Sequence, residues 1–451
     1  MIRFCLALLI SVFAINFAVA KTSLRSYSEK TLSNGLKVLF VEDQSLPYIS
    51  LGLMLKSGAT EDPENAHGLS HFVATLLEKG TKKRKASQIA DELGQIASSF
   101  HAATDDDFIY LTASSLSNHQ NELLDIFSDI VVSPSFAADE VERARKQILA
   151  HIQQEVDEPS AYTDLLFEQF LFGAHPYGSS ILGTAKEVRT IQRGDIIRHY
   201  FRYYRPNNAI LAVVGHYSPD TLEQLELKFK DWKPRDLKPM NFPAVEPITK
   251  TEILLVNKSD LTQSQIRLGH VGISRKNPDF LTLRLANNIL GTGFSSRLVD
   301  QIRVNLGLTY SISSGFEALM DKGPFEISTF TRNEKVGETI SKILEVLEKF
   351  VSEGVTQSEI DAAKGYMIGV FPRAIETAED LASNLLRLRL YGIPDTYLTQ
   401  FEDVVDGISR VQVNKAIQDY FHPKNLKILV YSNKTQALPQ LKLLGADVQV
   451  K

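Results

Sequence analysis

The sequence predicts an α+β fold in which two similar domains follow one another, each a mainly antiparallel sheet covered by helices. Strand-like and helix-like segments fall into separate runs, which is typical of antiparallel sheets with helices over one face. The order of segments occurs twice, and Tyr203-Tyr-Arg-Pro206 matches Tyr420-Phe-His-Pro423 at the junction of a helix and a strand. A repeat of this length indicates a duplicated domain rather than a solenoid unit. The 451 residues are also too many for one ordinary domain.

The composition is that of an ordinary globular protein. Apolar residues make up 43% of the chain and charged residues 23%, which excludes a fibrous or low-complexity protein. The net charge of −5 gives no reason to expect nucleic acid or an anionic membrane as a partner. The function must therefore be argued from motifs.

The first 20 residues have the features of a secretory signal peptide. Arg3 is followed by an apolar run over 4–17 and then by Ala18-Val19-Ala20, which predicts cleavage after Ala20. The apolar run is short for a membrane span, so an uncleaved anchor is the weaker alternative. Cleavage removes Cys5, the only cysteine, and leaves a mature chain without disulfides. For a bacterial-type signal, the predicted location is the periplasm.

The first predicted domain covers 21–232. An Asn34-Gly35 turn predicts a hairpin that leads into a strand, because this dipeptide suits a tight β-turn. Period-two and helical spacing then predict the other elements. The predicted strands are 48–56, 108–113 and 208–214, and the predicted helices are 68–79, 86–98, 118–133, 137–156 and 195–205.

The second predicted domain covers 250–437 and is followed by a tail, 438–451. The segment 233–249 is the predicted linker, since prolines and polar residues suit an exposed, semi-rigid connector. Its four prolines are Pro234, Pro239, Pro243 and Pro247. The predicted strands of this half are 253–256, 263–269 and 325–331, and the predicted helices are 279–290, 335–353 and 357–370.

Several short motifs together resemble the pitrilysin/insulinase family of zinc peptidases, in its smaller two-domain branch that includes mitochondrial processing peptidase. The motifs are Asn34-Gly35-Leu36, Ser57-Gly58-Ala59, His67-Gly68-Leu69-Ser70-His71-Phe72, Lys79-Gly80-Thr81, His175-Pro176-Tyr177, Gly215 and the stretch from Ser296-Arg297-Leu298 to Tyr310. The resemblance covers nearly all of 28–435. It implies that two such chains close around a chamber that holds peptides.

The resemblance also implies that the zinc chemistry has been lost. Active members of the family carry H-x-x-E-H, in which two histidines bind zinc and the glutamate is the general base, and a later helix supplies a third ligand. The matching positions here are His71, Ala74, Thr75 and, for the third ligand, His151. A methyl group cannot accept a proton, and a general base typically contributes about 10²- to 10⁴-fold to the rate. We expect no peptide hydrolysis by this chain alone.

A rebuilt metal site is the alternative. His67 and His71 are four residues apart, which places them on one face of a helix, and His151 could join them. Three-histidine sites need a geometry that spacing alone does not show, and the position of His67 does not bind zinc in the family.

Arg303 and Tyr310 match an Arg/Tyr pair that binds substrate near the scissile bond in active relatives. A guanidinium and a phenol can both donate to a peptide carbonyl. The sequence predicts a helix over 296–304, a left-handed cap at Gly307 and a strand over 308–312. The alternative is that Arg303 is an ordinary surface charge and Tyr310 a half-buried strand residue.

The resemblance therefore implies one half of a heterodimeric peptidase. This chain would have no cofactor of its own, and zinc would lie in a homologous partner with an intact H-x-x-E-H motif. Arg303 and Tyr310 would contact peptide substrates held at that site. A catalytically inert binding or scaffold protein and a peptidase with a rebuilt His67/His71/His151 site are the alternatives.

Overall fold

Two six-stranded sheets organise the computed structural model, which describes residues 24–238 and 240–451. The predicted signal peptide therefore lies outside the described residues. The first sheet contains β1 (Tyr27–Thr31), β2 (Lys37–Glu42), β3 (Tyr48–Leu55), β4 (Phe100–Thr104), β5 (Ile109–Leu116) and β6 (Ala209–Gly215). These strands lie in the order β1-β2-β6-β3-β5-β4, and only β2 and β6 run parallel to each other.

The second sheet contains β7 (Glu252–Asn257), β8 (Gln263–Val271), β9 (Ile312–Phe316), β10 (Pro324–Arg332), β11 (Lys427–Ser432) and β12 (Asp447–Val450). Its order is β12-β7-β11-β8-β10-β9. Without the outer strands β1 and β12, both sheets place the first, last, second, fourth and third strand of their half side by side. The predicted duplicated, mainly antiparallel α+β architecture is confirmed.

Helices surround the two sheets. Those of the first half are α1 (Leu69–Leu76), α2 (Ala86–Gln95), α3 (Gln120–Val132), α4 (Ala138–Asp157), α5 (Pro159–Phe172), α6 (Ala185–Thr190), α7 (Arg193–Tyr203) and α8 (Thr221–Phe229). Those of the second half are α9 (Phe280–Asn287), α10 (Val336–Glu353), α11 (Gln357–Val370), α12 (Ala378–Tyr391), α13 (Thr396–Thr399), α14 (Phe401–Gly407), α15 (Arg410–Tyr420) and α16 (Lys434–Lys442). Across the described part of the chain, none has the length and apolar character that a membrane span needs.

The two halves exchange one helix each. Helix α5 packs on β8 and β11 of the second sheet, and α12 packs on β6, β2 and β3 of the first. The inner strands β2, β6 and β11 are buried on both faces, so each sheet needs a second cover there. Phe167 of α5 is buried with Leu429 of β11, and Leu39 of β2 belongs to the core that contains α12. Packing thus locks the halves together.

The predicted hairpin is confirmed, since Leu32 N–H donates to Leu36 O and Gly35 has φ of +88°. Other segments differ from the prediction. The predicted tail contains the end of α16 and strand β12, which pairs with β7. The predicted strand 308–312 begins only at Ile312, because Thr309 and Ser311 hydrogen-bond to each other in a local turn that competes with strand pairing.

The predicted linker contains no helix or strand over its described residues, and Pro239 lies outside them. It is more closely packed than an exposed connector. Phe242, Val245 and Ile248 pack against the cluster that α5 forms with the second sheet, and the Phe242 ring stacks on His175 with centroids 5.5 Å apart.

Candidate functional site

A buried polar network fixes the start of α1. The N–H groups of Gly68 and Ser70 each donate to the Asp62 carboxylate at 2.8 Å, and the Ser70 hydroxyl lies 2.6 Å from it. That hydroxyl is also 3.0 Å from His199 Nε2. Gly68 has φ of +90° and a Cβ there would lie 2.3 Å from Leu182 O, so glycine is required. Ser70 is fully buried, so this Ser, His and Asp set holds the helix rather than acting as a nucleophile.

The positions that match the zinc motif lie one turn further along α1. Ala74 is 1% exposed and belongs to the core of the first half. Thr75 Oγ1 donates to His71 O at 2.9 Å and lies 3.4 Å from His71 Nε2. Burial, and then the nearby His151, lowers the pKa of His71 to about 4, so the imidazole is neutral at pH 7. The site has a neutral imidazole but neither a proton acceptor at the base position nor a second strong ligand.

The rebuilt three-histidine site is not assembled in the structure. His67 Nδ1 lies 2.6 Å from Glu187 Oε1, and Glu187 also caps α6 through Thr184. Only His71 and His151 lie close enough for one to shift the pKa of the other. Over 24–238 and 240–451, no group of three His, Cys, Asp or Glu side chains is placed to hold a metal ion. These residues do not fit a zinc ion.

Arg303 and Tyr310 are brought together on the surface of the second half. Arg303 lies in a π-helical segment, Val299–Asn305, and its Cζ is 5.1 Å from the centre of the Tyr310 ring. Gly307 has the predicted positive φ, +59°. The Tyr310 side chain is 76% exposed and Arg303 is half-buried, so the phenol is open to solvent beside a guanidinium.

The segment that carries this pair is anchored from behind. Arg297 donates from Nε and Nη2 to the two carboxylate oxygens of Glu359 at 2.7 and 3.0 Å, and Glu359 caps α11. Such two-pronged pairs fix orientation as well as distance. Nearby, Phe294 is 89% exposed and Val304 is also exposed. The segment that carries the pair thus exposes apolar side chains as well as polar ones such as Gln301 and Asn305.

The two candidate groups lie in different halves. Within the described residues, no hydrogen bond, ion pair or ring contact joins α1 to Arg303 or Tyr310. The remnant of the metal motif and the exposed pair are thus separate sites in this chain.

Sequence reasoning missed a cavity of about 770 Å³ beside α1. It lies between α4, α5 and the loop before α6, and both His67 and Glu187 line it. The cavity could not be predicted from the sequence, because helix α5, which forms part of its wall, was not predicted. The available signal was Pro159 directly after a long helix, since proline suits the first turn of a new helix.

A second missed feature is an interdomain acidic cluster, formed by Asp106, Glu168, Glu317 and Glu326. Burial raises the pKa of Asp106 to about 8 and that of Glu168 to about 9, and neighbouring carboxylates add to both shifts. The run Asp105-Asp106-Asp107 was its sequence signal. Burial thus favours the protonated form of Asp106 and Glu168 at pH 7.

Comparison with known proteins places the chain among peptidase relatives. Residues 37–185 match the family model described as insulinase (peptidase family M16), and 190–367 match the model described as peptidase M16 inactive domain. A Rickettsia felis protein named uncharacterized zinc protease is 30% identical over 344 residues, 75% of this chain and 81% of that protein. A Helicobacter pylori protein named non-peptidase homolog YmxG is 25% identical over 436 residues, 96% and 99% of the two chains. The crystal structure of a Pseudomonas fluorescens protein described as peptidase M16 inactive domain superposes with a TM-score of 0.83 at 26% identity, covering 90% of this chain and 98% of that one.

Proposed function

Because this chain belongs to the insulinase family of peptidases, peptidase family M16, we propose that it is the subunit without zinc of a heterodimeric periplasmic zinc metallopeptidase. Its own residues contact the peptide substrate. A homologous partner with an intact H-x-x-E-H motif supplies the metal and the general base. The periplasmic location rests on the signal-peptide features of the first 20 residues, and no membrane or nucleic acid is needed.

The contrast between two positions carries this proposal. Ala74 has a methyl group where the reaction needs a proton acceptor, whereas Tyr310 is 76% exposed beside Arg303. A general base contributes about 10²- to 10⁴-fold, so its loss removes the chemistry from this chain. The exposure of Tyr310 beside Arg303 leaves the phenol accessible to a ligand.

The exposed pair offers suitable chemistry. The guanidinium of Arg303 presents several N–H donors in one plane, and the phenol of Tyr310 presents one O–H. A peptide carbonyl oxygen accepts both, and the interaction strengthens as negative charge develops on that oxygen. The exposed Phe294 and Val304 would lie against apolar side chains of an extended peptide. These residues bind and orient, and the proton transfers belong to the partner.

The names of relatives do not decide between a peptidase and a non-peptidase. The Helicobacter pylori relative is named a non-peptidase homolog, whereas the Rickettsia felis relative is named a zinc protease. The residues at 74 and 75 support the former for this chain, since neither can replace a glutamate or a histidine in the reaction.

The test is zinc content and peptidase activity of the chain beginning at Lys21, alone and mixed with a co-encoded relative that has the intact motif. We expect no stoichiometric zinc and no cleavage of a fluorogenic unfolded peptide by the chain alone, with cleavage on mixing. Arg303→Gln should reduce the activity of the mixture about tenfold or more, whereas Arg410→Gln, an exposed arginine on α15, should not.

Two results would overturn the proposal. Zinc and activity in the isolated chain would point back to His67, His71 and His151. A mixture whose activity does not depend on this chain, or does not respond to Arg303→Gln, would favour an inert binding or scaffold protein.

A further inference from the structure

A cavity of about 370 Å³ lies between the two halves, away from both sites described above. Helices α9, α11, α12, α13 and α14 contribute to its wall, together with the loop after β9. The loop between β4 and β5 contributes Asp105 and Phe108 from the first half. Small-molecule sites are commonly found at such junctions between domains.

Arg275 is held rigidly at the wall of this cavity. Its Cζ lies 3.8 Å from the centre of the Phe280 ring and 4.8 Å from the centre of the Tyr397 ring. A guanidinium that stacks on rings with its flat face still has its N–H groups in the plane, pointing away from the rings. Stacking and a hydrogen bond with the Tyr397 side chain therefore hold Arg275, and this hydrogen bond occupies only part of its fork of donors.

Arg275 also lacks an anionic partner. Among the residues that the structure describes, no carboxylate oxygen lies within 4.0 Å of its guanidinium. Burial lowers the pKa of Arg275, and the side chain is only partly buried. A guanidinium in this position, with no carboxylate beside it, can donate to the carboxylate of a ligand.

The rest of the lining mixes aromatic, aliphatic and polar side chains. Phe316, Tyr391 and Phe401 join Phe280 and Tyr397 around the cavity, and Arg284 and Arg387 also line it. Its volume is within the range of ordinary ligand sites. The cavity thus offers a ring-sized space bordered by aromatic rings, with Arg275 stacked at its wall.

We propose that this cavity binds an organic carboxylate with an apolar, ring-sized body, whose carboxylate accepts hydrogen bonds from the N–H edge of Arg275. Two sources share this chemistry, a free aromatic amino acid and the C-terminal residue of a peptide. They differ at the nitrogen, which is a cationic ammonium in the first and a neutral amide in the second. Asp105 and Glu317 also line the cavity and would favour the ammonium.

The binding test compares three probes on the folded chain by calorimetry. L-Phenylalanine has both charges, N-acetyl-L-phenylalanine has only the carboxylate, and L-phenylalaninamide has only the ammonium. The two carboxylates should bind and the amide should not. Tighter binding of phenylalanine identifies the free amino acid as the source, and tighter binding of the acetylated probe identifies a peptide end. Equal binding of the amide, or binding of none of the three, would overturn the proposal.

Variants test the contact itself. Arg275→Lys keeps the charge but loses the planar fork, and Arg275→Gln loses both, so each should raise the dissociation constant about tenfold or more. Arg189→Gln makes the same charge change at an exposed position on α6 and should leave binding unchanged. Circular dichroism confirms that each variant is folded. Unchanged binding in folded Arg275→Lys and Arg275→Gln would show that Arg275 does not bind the carboxylate. No peptidase partner is needed, so this result is separate from that of the proposed function.

Discussion

The two sheets have the same strand order, but different kinds of side chain cover their equivalent positions. Gly52 of β3 pairs with Ala212, and Arg267 of β8 pairs with Leu429, at positions that the repeated strands place in register. A Cβ at Gly52 would lie 2.5 Å from the hydroxyl of Tyr110, so a ring covers the first sheet there. Arg267 is 2% exposed and pairs with a carboxylate of α5. Duplication preserved the backbone arrangement and left the covering side chains free to diverge.

The same contrast holds for the candidate sites. In the first half, α1 keeps the hydrogen bonds that fix its start. Ala74 is buried in the core, and Thr75 hydrogen-bonds to the backbone of its own helix. In the second half, Tyr310 is exposed and stacks on the half-buried Arg303. The first half thus buries the base position of its metal motif, whereas the second leaves a phenol open to solvent beside a guanidinium. Substitutions can separate what each half does for stability from what it does for binding.

The largest effect on stability is expected at the buried arginine. Arg267→Met leaves Asp164 and Glu326 without their shared cation, and the loss should be up to about 3 kcal/mol because water can solvate the half-exposed Asp164. Urea unfolding measures the loss. Arg410→Met, on an exposed surface of α15, is the matched control and should change the free energy of unfolding by less than about 0.5 kcal/mol. A loss below about 1 kcal/mol at Arg267 would mean that the ion pair is replaceable by apolar contact, as at Gly52.

A smaller loss is expected at the anchor of α1. Ser70→Ala removes the hydroxyl that links Asp62 and His199, and the unpaired buried groups should cost about 2 kcal/mol. Thr75→Ala on the same helix removes a bond to the backbone of its own helix and a long contact with His71 Nε2, and should cost less than about 0.5 kcal/mol. Chemical denaturation of both variants is the measurement. Equal losses of stability would show that the Thr75 hydroxyl stabilises α1 as much as the Ser70 hydroxyl does.

Much of this architecture could be predicted from the sequence, because many of the features that indicate it depend on neighbouring residues. The Asn34-Gly35 turn and the left-handed Gly307 each follow from neighbouring residues, and both are confirmed. Contacts between residues that are far apart in the sequence could not be predicted. Glu187, the partner of His67, lies 120 residues away. Helices α5 and α12 pack on the sheet of the other half, and no local pattern indicates that exchange.

The interdomain acidic cluster gives a pH-dependent effect. Burial, followed by Asp106 and Glu317, raises the pKa of Glu168 to about 9 from its ordinary value of 4.5. The folded chain then holds a proton that the unfolded chain releases, so stability falls as the pH rises from about 5 to about 9. Glu168→Gln should remove part of that loss, gaining about 1 to 2 kcal/mol over wild type at pH 9 and little at pH 5.

Denaturation curves at several pH values measure this difference. Glu348→Gln, at an exposed position on α10, is the control and should show no such trend. If the advantage of Glu168→Gln stayed constant between pH 5 and pH 9, Glu168 would be ionised over this whole range. The repulsion among the carboxylates would then have to raise the pKa values of Glu326 and Asp106 instead.

The smallest effect on stability is expected at Tyr310, and it separates the two halves most clearly. Tyr310→Phe keeps the ring beside Arg303 and removes only an exposed hydroxyl, so the free energy of unfolding should change by less than about 0.5 kcal/mol. If the hydroxyl donates to a peptide carbonyl, peptide cleavage by the mixture with the zinc-bearing partner should still fall about tenfold or more. Tyr366→Phe, also exposed, is the control and should change neither quantity. If Tyr310→Phe lowered the free energy of unfolding but not the peptidase activity, Tyr310 would have a structural role and would not bind the peptide.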